Sequence, residues 1–284
     1  MKNTMKKPVA IPVEKLRPFA RHPFKVKDDA EMNTLIESIQ TQGVLSPLIV
    51  RPIENTDEYE IISGHRRLHA AQKAGITEVP ALIYALDRDA AAIAVVDSNL
   101  HRDHILPSEK AFAYKLKRDA MAHQGRTSPQ LGEKSLTVEK IGAETGDSKN
   151  QVLRYIRLTH LIPELLDLMD EGKIALMVGE ALSYLGDEEQ YAVLEQCEIN
   201  DCTPSYAQAV EMKKRYQDEN LTAENISEIL SREKANQRET IKIPTEKLRK
   251  YAPNADAKQL EDFIIKACEH YRKFLIRQRN RDER

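Results

Sequence analysis

Two adjacent arginines, Arg66 and Arg67, follow a short apolar segment and a glycine. Residues 59–63 have the composition of a buried strand, Gly64 permits a tight turn, and residues 68–74 have helical composition. A helix start leaves N–H groups unpaired and carries partial positive charge, to which two guanidinium groups add permanent charge. The pattern predicts a phosphate-binding site. A solvated arginine pair on a surface helix is the alternative.

A second candidate site is the segment 136–158, which has the layout of a helix-turn-helix with Gly146 in its turn. Between Ser148 and Pro163 there are three cations and no carboxylate. A recognition helix has this composition, because its polar residues reach base edges while its basic residues hold phosphates. A helical hairpin with a solvated basic face is the alternative. The candidate DNA-binding residues are Ser148, Lys149, Gln151, Arg154, Tyr155 and Arg157. The residues predicted to face inward are Val138, Ile141, Ala143, Val152, Leu153 and Ile156.

The elements that must position these residues alternate between helix and strand from residue 28 to 124. Asp28 is predicted to cap a helix that Gly43 ends, and Ser108 to cap another. The predicted strands are 45–51, 59–63 and 79–86, and the further helices are 90–96 and 109–123. A linker is predicted at 124–134, because that segment has turn formers and no apolar period. Beyond it the chain is predicted to be helical almost throughout.

Composition excludes several classes of protein. The chain has 284 residues, enough for two or three domains, and its charged fraction of 31% indicates a soluble protein. It contains no apolar run of membrane-spanning length, and its first residues lack the apolar core of a signal peptide, so we expect a cytoplasmic protein. The three cysteines, Cys197, Cys202 and Cys268, fit a reducing compartment. With a net charge of -2, any nucleic-acid binding must come from a local patch.

Four segments resemble the sequence boxes of one family. Gly64-His65-Arg66-Arg67 followed by Leu68-His69-Ala70-Ala71 is similar to the G-E-R-R-x-R-A-A box of ParB-type chromosome and plasmid partition proteins. Residues 98–102 resemble the family's E-N-x-x-R box, and residues 43–51 resemble its G-[IVL]-x-x-P-[IL]-x-V-R segment. Residues 172–182 resemble its G-K-I-x-x-x-H-A-x-x-L segment, with the histidine replaced by Glu180 or its neighbour. The resemblance covers roughly residues 8 to 185.

The resemblance implies a nucleotide site that binds CTP with Mg2+. The residues that match the family's nucleotide-binding positions are Gly43, Pro47, Gly64, His65, Arg66, Arg67, Asn99 and Arg102, and Asn99 would also contact the metal. Two departures bear on hydrolysis and on affinity. Ser98 replaces the family's glutamate, which leaves at most a weak CTP hydrolase, and His22-Pro23-Phe24 replaces a Gln-Pro-Arg run. Asp97 points about 100° away on a helix and does not substitute for that glutamate.

The function implied by the resemblance is that of a clamp on double-stranded DNA for DNA segregation. ParB-type proteins load at a centromere-like site through the helix-turn-helix, close around the duplex and slide, and they work with a ParA-like ATPase. We therefore expect a nucleoid- or plasmid-associated protein. Residues 258–279 predict a helix with a continuous apolar stripe. That stripe could pack on the same chain, the default for such a stripe, or pair with a second copy as the C-termini of ParB-type proteins do in a homodimer.

The predicted fold is an α/β N-terminal domain, ParB- or sulfiredoxin-like, followed by an all-α helix-turn-helix domain and a helical C-terminal region. The corresponding boundaries are 8–124, 125–200 and 201–284. Two other classes of function stay open. One is a helix-turn-helix transcriptional repressor that never closes a clamp. The other is a nuclease on the same fold, for which the only candidate cluster is His101, Asp103 and His104.

Overall fold

The computed structural model describes residues 7–100, 102, 104–124, 133–232, 248–253 and 256–282. The chain divides into two compact units, residues 1–232 and 233–284. His101, Asp103 and most of the predicted linker lie outside the described residues. The predicted three-part division remains a prediction. None of the helices in the described ranges is long and apolar enough to cross a membrane.

The first part of the chain forms a curled mixed sheet with helices, as predicted. Its strands are β1 (Val9–Pro12), β2 (Leu16–Arg17), β3 (Leu48–Pro52), β4 (Tyr59–Ser63) and β5 (Glu78–Ile83). Their order is β1-β5-β3-β4-β2, with β1 antiparallel to β5, β5 parallel to β3, β3 antiparallel to β4 and β4 parallel to β2. Sequence analysis missed the two short N-terminal strands.

Four helices accompany the sheet: α1 (Ala30–Gln42), α2 (His65–Lys73), α3 (Arg88–Asp97) and α4 (Pro107–Gln124). The predicted N-terminal caps of two helices were wrong. Asp29, not Asp28, accepts the Met32 N–H and caps α1. Ser108 lies inside α4, where its N–H and hydroxyl donate to Asp170.

The remainder of the first unit is helical, as predicted. It comprises α5 (Glu133–Thr145), α6 (Lys149–Leu158), α7 (Pro163–Asp170), α8 (Leu176–Leu182), α9 (Asp187–Ile199), α10 (Tyr206–Gln217) and α11 (Ala223–Ser231). Buried apolar residues of α6 to α11 form one core. The second unit contains the long helix α12 (Ala257–Asp282).

The pair α5 and α6 forms the helix-turn-helix, and Gly142 is required for its tight turn. A Cβ at Gly142 would lie 2.5 Å from the Asp147 carbonyl oxygen, closer than real Cβ atoms approach. Val138 and Ile141 of α5 and Val152 and Ile156 of α6 are buried as predicted. Two inward assignments were wrong: Ala143 is exposed, and the Leu153 side chain is 43% exposed.

Gly142→Ala is expected to destabilise the protein by about 1 to 3 kcal/mol, the usual cost of overpacking a well-packed site. The reason is that the Asp147 carbonyl is backbone and cannot rotate away. Urea unfolding followed by circular dichroism measures the effect. Ala143→Ser, at the next and exposed position, is the control and should change stability by less than about 0.5 kcal/mol. Equal stability of the two variants would contradict this account of the turn.

Candidate functional site

The start of α2 has the backbone geometry of an anion site. Gly64 precedes the helix with φ +108°, and a Cβ there would lie 3.0 Å from Leu48 Cγ and 3.2 Å from Arg67 Nη2. Both the backbone conformation and the close packing therefore require glycine. The first hydrogen bond within the helix runs from the Leu68 N–H to the Gly64 carbonyl. The N–H groups of the first turn have no acceptor within the helix and can face a phosphate.

Arg67 holds a neighbouring loop in place. Its Nη1 donates to the carbonyl oxygens of Ser46 and Pro47, the latter at 2.8 Å, and burial lowers the pKa of its guanidinium. The loop begins at Gly43, which ends α1 with φ +70°. These contacts bring the first two predicted boxes together. Arg67 therefore stabilises this loop, in addition to its predicted role in binding phosphate.

Arg66 and Arg102 are the two guanidinium groups that remain for a ligand. Arg66 Nη2 lies 3.4 Å from Asp29 Oδ1 and 3.3 Å from Glu31 Oε2, long distances that leave the pair weakly engaged. Burial lowers the pKa of Arg102; the charge of Glu109 opposes this, and the charge of Arg66 lowers the pKa further. In the described part of the chain, the Arg102 side chain has no ion-pair partner and lies over the Phe24 ring at 5.7 Å. Two cations so placed attract an anion.

Two histidines complete this cluster, and one of them was missed by sequence analysis. The rings of His22 and His65 lie 3.6 Å apart between centroids. His22 Nδ1 donates to the Phe24 carbonyl at 2.8 Å, whereas its buried Nε2 has no partner among the described residues. The Phe19 N–H donates to His65 Nε2 at 3.4 Å. Burial, with the charge of Arg102 adding to it, lowers the pKa of both rings, and that of His65 to about 3.

The His22-Pro23-Phe24 run, where sequence analysis found only a departure, is itself anchored. Phe24 is buried against Val96 and Ala113. The Lys25 N–H donates at 2.7 Å to Glu109, a buried carboxylate at the start of α4 that also accepts the Leu106 N–H. The loop is therefore a fixed wall of the site.

The predicted metal ligand, Asn99, has its amide nitrogen bonded within its own segment. Asn99 is buried, and its Nδ2 donates to the Val95 carbonyl at 2.8 Å and to Ser98 Oγ at 3.1 Å. Asp97 is held by Lys117, as expected for a side chain pointing elsewhere. The segment therefore offers only neutral oxygens to Mg2+, which usually takes one or two carboxylates. No cluster of three or more candidate metal-ligating residues occurs within the described ranges.

The six predicted DNA-binding residues differ in how much of each side chain is already engaged. Ser148 caps α6 by accepting the Gln151 N–H at 3.2 Å, and Lys149 Nζ lies 2.8 Å from Glu139. Tyr155 packs edge-on against Tyr114. Arg157 donates to the Ser183 hydroxyl and carbonyl and lies over Tyr184. Arg154, 39% exposed, makes a single ion pair among the described residues, from Nε to Glu180 Oε2 at 3.0 Å.

Two exposed residues of α6 were absent from the predicted set. Asn150 and Leu153 both face solvent. Asn150 precedes Arg154 by four residues, so the two share one face of the helix. The spacing alone could have identified Asn150, whereas Leu153 was assigned inward because it is apolar.

Comparison with known proteins supports one family. The ParB N-terminal domain family matches residues 1–100. Chromosome-partitioning protein Spo0J of Thermus thermophilus is 34% identical over 64% of this chain and 62% of its own length. Probable chromosome 1-partitioning protein ParB of Deinococcus radiodurans is 32% identical over 71% of this chain and 65% of its own length. Less than two thirds of each relative is therefore matched.

Similar solved structures include C-terminally truncated ParB from Caulobacter crescentus complexed to the centromeric parS site. It is 25% identical, covers 73% of this chain and 99% of that chain, and has a TM-score of 0.42. The same protein complexed with CTP-gamma-S is 28% identical over 66% of this chain and 97% of that chain, with a TM-score of 0.32. The assignment rests on the sequence matches. The N-terminal part is a ParB N-terminal domain. The chain is a homologue of the ParB/Spo0J chromosome-partitioning proteins.

Lowering the pH from about 6.5 to 5 is expected to destabilise the protein in part through His65. The unfolded chain takes up a proton near the ordinary histidine pKa, whereas native His65 does so only near pH 3. Stability is therefore lost as pH falls through this window, by up to about 1.4 kcal/mol per pH unit for one proton. Urea unfolding at pH 7, 6 and 5 should show a shallower loss for His65→Asn. His69→Asn, in the same helix, controls for losing a histidine. Parallel profiles for wild type and His65→Asn would exclude a buried neutral His65.

Proposed function

We propose that this protein is a sequence-specific DNA-binding partition protein that acts as a CTP-gated clamp on DNA. The observation that carries the proposal is the convergence of three sequence-distant boxes on one anion site. The start of α2, Arg66 and Arg102 face the same small region, and Arg67 fixes the loop of Gly43 and Pro47 beside it. The homology to partitioning proteins favours a nucleotide as the anion.

The chemistry of the site fits a nucleoside triphosphate. A triphosphate carries about four negative charges, which need arginines and N–H groups within hydrogen-bond reach. Arg66 and Arg102 supply charge, the first turn of α2 supplies N–H groups, and His22 Nε2 is a buried polar atom without a partner among the described residues. Gly64, His65 and Arg67 shape the turn, and Asn99 holds the end of α3 through the Val95 carbonyl.

The fit to Mg2+ is poorer. Ser98 and Asn99 supply neutral oxygens, so the metal would enter with the phosphates, which carry most of its coordination. Hydrolysis stays a separate proposal, because Ser98 cannot act as a carboxylate that orients water. A weak CTP hydrolase activity is the most that these residues suggest.

The proposed DNA interface is the exposed face of α6. Ser148, Gln151 and Arg154 lie at or near its N-terminal half, where recognition helices reach base edges. Lys149, Tyr155 and Arg157 flank that face and are partly engaged by neighbouring side chains. The remaining proposals rest on the homology: a nucleoid- or plasmid-associated location and a ParA-like ATPase partner.

Occupancy of the host chromosome tests the function. Chromatin immunoprecipitation of the tagged full chain should give a broad distribution around a specific site. Arg66→Gln and Arg102→Gln should collapse it to a sharp peak, because each loses a charged hydrogen bond worth about 1.5 to 3 kcal/mol and with it roughly tenfold or more in CTP affinity. Arg154→Gln should remove the peak. Lys73→Gln, at the far end of α2, is the matched control.

Other outcomes discriminate among the functions. A narrow peak for the wild-type protein that is unchanged in the Arg66→Gln variant indicates a repressor. Radiolabelled CTP titration of each purified variant reports nucleotide binding independently of DNA. A wild-type protein that binds no CTP with or without its DNA site removes the gating part, and nicking of plasmid with magnesium would point to a nuclease.

The clamp requires two copies of the chain, and we assign the pairing to α12. Most of its described apolar stripe is exposed: Phe263 is 37% exposed, Tyr271 60% and Phe274 47%, whereas Leu260 near its start is buried. Phe263, Ala267, Tyr271 and Phe274 follow one another at intervals of four, four and three residues, as in a helix that packs against another helix. The exposure argues against the default expectation that the stripe packs within its own unit. A second copy offers the same stripe in return.

Phe263→Asp combined with Tyr271→Asp is expected to convert the dimer to a monomer of 32.4 kDa. A carboxylate buried in an apolar seam is costly unless it is paired. Light scattering after size-exclusion chromatography of the full chain measures the mass. Ile265→Asp, 53% exposed on the opposite side of α12, is the control and should remain dimeric. A wild-type chain that is monomeric at micromolar concentration would overturn the assignment.

A further inference from the structure

The helix α8 lies beside the recognition helix and contacts two of its arginines. Arg154 and Arg157 are three residues apart on α6, and their partners are also three residues apart: Glu180 in α8 and Ser183 at its C-terminal cap. Residues at this spacing share a helix face, so one face of α8 supports one face of α6. The two arginines are nevertheless held in different ways.

The Arg157 side chain is held by contacts with Ser183 and Tyr184. Its Nε donates to Ser183 Oγ at 3.2 Å, its Nη2 donates to the Ser183 carbonyl at 2.8 Å, and its guanidinium lies 4.1 Å from the Tyr184 ring centroid. Two of its donor nitrogens and one face are used. Arg157 therefore joins α6 to α8.

Arg154 is held at one atom only. Its Nε lies 3.0 Å from Glu180 Oε2, and within the described residues its two terminal nitrogens make no hydrogen bond. The Arg154 side chain is 39% exposed and that of Glu180 is 24% exposed. A carboxylate beside Nε holds the guanidinium by charge on that side and leaves its terminal N–H groups available. Two parallel N–H donors in one plane match the O6 and N7 acceptors of guanine in the major groove.

The Glu180 carboxylate would only weaken DNA binding if this face of α6 contacted phosphates alone. A carboxylate repels the DNA backbone, and neutralising it would strengthen binding to any sequence. Its position against a recognition-helix arginine has a use if the arginine is aimed at a base rather than at a phosphate. We propose that Glu180 is a positioning residue that directs Arg154 to a guanine in the DNA site, and thereby sets specificity at that base pair.

This inference rests on the proposed DNA-binding function and adds the base and the residue that selects it. In this chain a carboxylate in α8 is matched by an arginine in α6. The pair acts as one reading unit, so the DNA site should differ in sequence from that of relatives lacking it.

Selection of duplexes from a random pool, followed by sequencing, tests the proposal with the full chain. Wild type should enrich a sequence with a guanine that Arg154→Gln no longer selects. Glu180→Gln and Glu180→Ala should reduce the preference at that same position alone, on the order of ten- to hundredfold in relative affinity for a bidentate pair. Because glutamine keeps an acceptor for Arg154 Nε, Glu180→Gln should reduce the base preference less than Glu180→Ala does. Both variants should bind random duplex at least as tightly as wild type.

Glu195→Gln, which removes an exposed carboxylate of α9, is the control for charge and should leave the selected sequence unchanged. If Glu180→Gln tightens binding to all duplexes equally and leaves the base preference intact, Glu180 acts only as a charge and the proposal fails. If wild type enriches no sequence, the proposed DNA-binding function fails instead. Thermal unfolding of each variant shows whether the fold is retained.

Discussion

The buried ammonium group of Lys117 joins the sheet-containing part of the first unit to its helical remainder. Lys117 of α4, 3% exposed, contacts Asp97 at the end of α3 and Glu144 near the end of α5. Burial lowers the pKa of Lys117, but the hydrogen bonds to both carboxylates outweigh this and leave it raised. A buried cation without partners is costly, so α3, α4 and α5 must stay in register for the charge to be satisfied.

Helix α4 consequently links the anion site to the DNA-binding motif. Its first turn carries Glu109, which holds the His22-Pro23-Phe24 loop. The next residue, Lys110, and Tyr114, about one turn further along, reach Asp147 in the turn of the helix-turn-helix, with the Tyr114 hydroxyl at 2.6 Å. The same helix therefore contacts both the wall of the anion site and the turn between α5 and α6. For the proposed function, α4 is the element through which a ligand at the anion site and DNA at α6 could be coupled.

Sequence alone identified the boxes and the order of elements from α1 onward, because strand and helix periods and the glycine turns are local signals. Sequence could not show which contacts each residue of a box makes. Arg66 and Arg67 are neighbours of the same type, yet Arg67 binds the Ser46 and Pro47 carbonyls while Arg66 stays loosely paired. Likewise Asp28 and Asp29 are equivalent in sequence, and only the fold places Asp29 at the helix cap. Such distinctions depend on contacts between residues far apart in the chain.

The departures from the family pattern replace fixed charges by neutral or paired groups. At the anion site His65 stands for a glutamate, and with a pKa of about 3 it removes a negative charge without adding a positive one. Ser98 does the same beside Asn99. On the DNA side Glu180 adds a carboxylate, but it pairs with Arg154. The first two changes each remove a negative charge from the anion site, and Phe24, which stands where the family has an arginine, removes a positive one. On the DNA side, a carboxylate beside the proposed recognition helix lowers non-specific attraction to phosphates, so the proposed DNA binding depends more on base contacts.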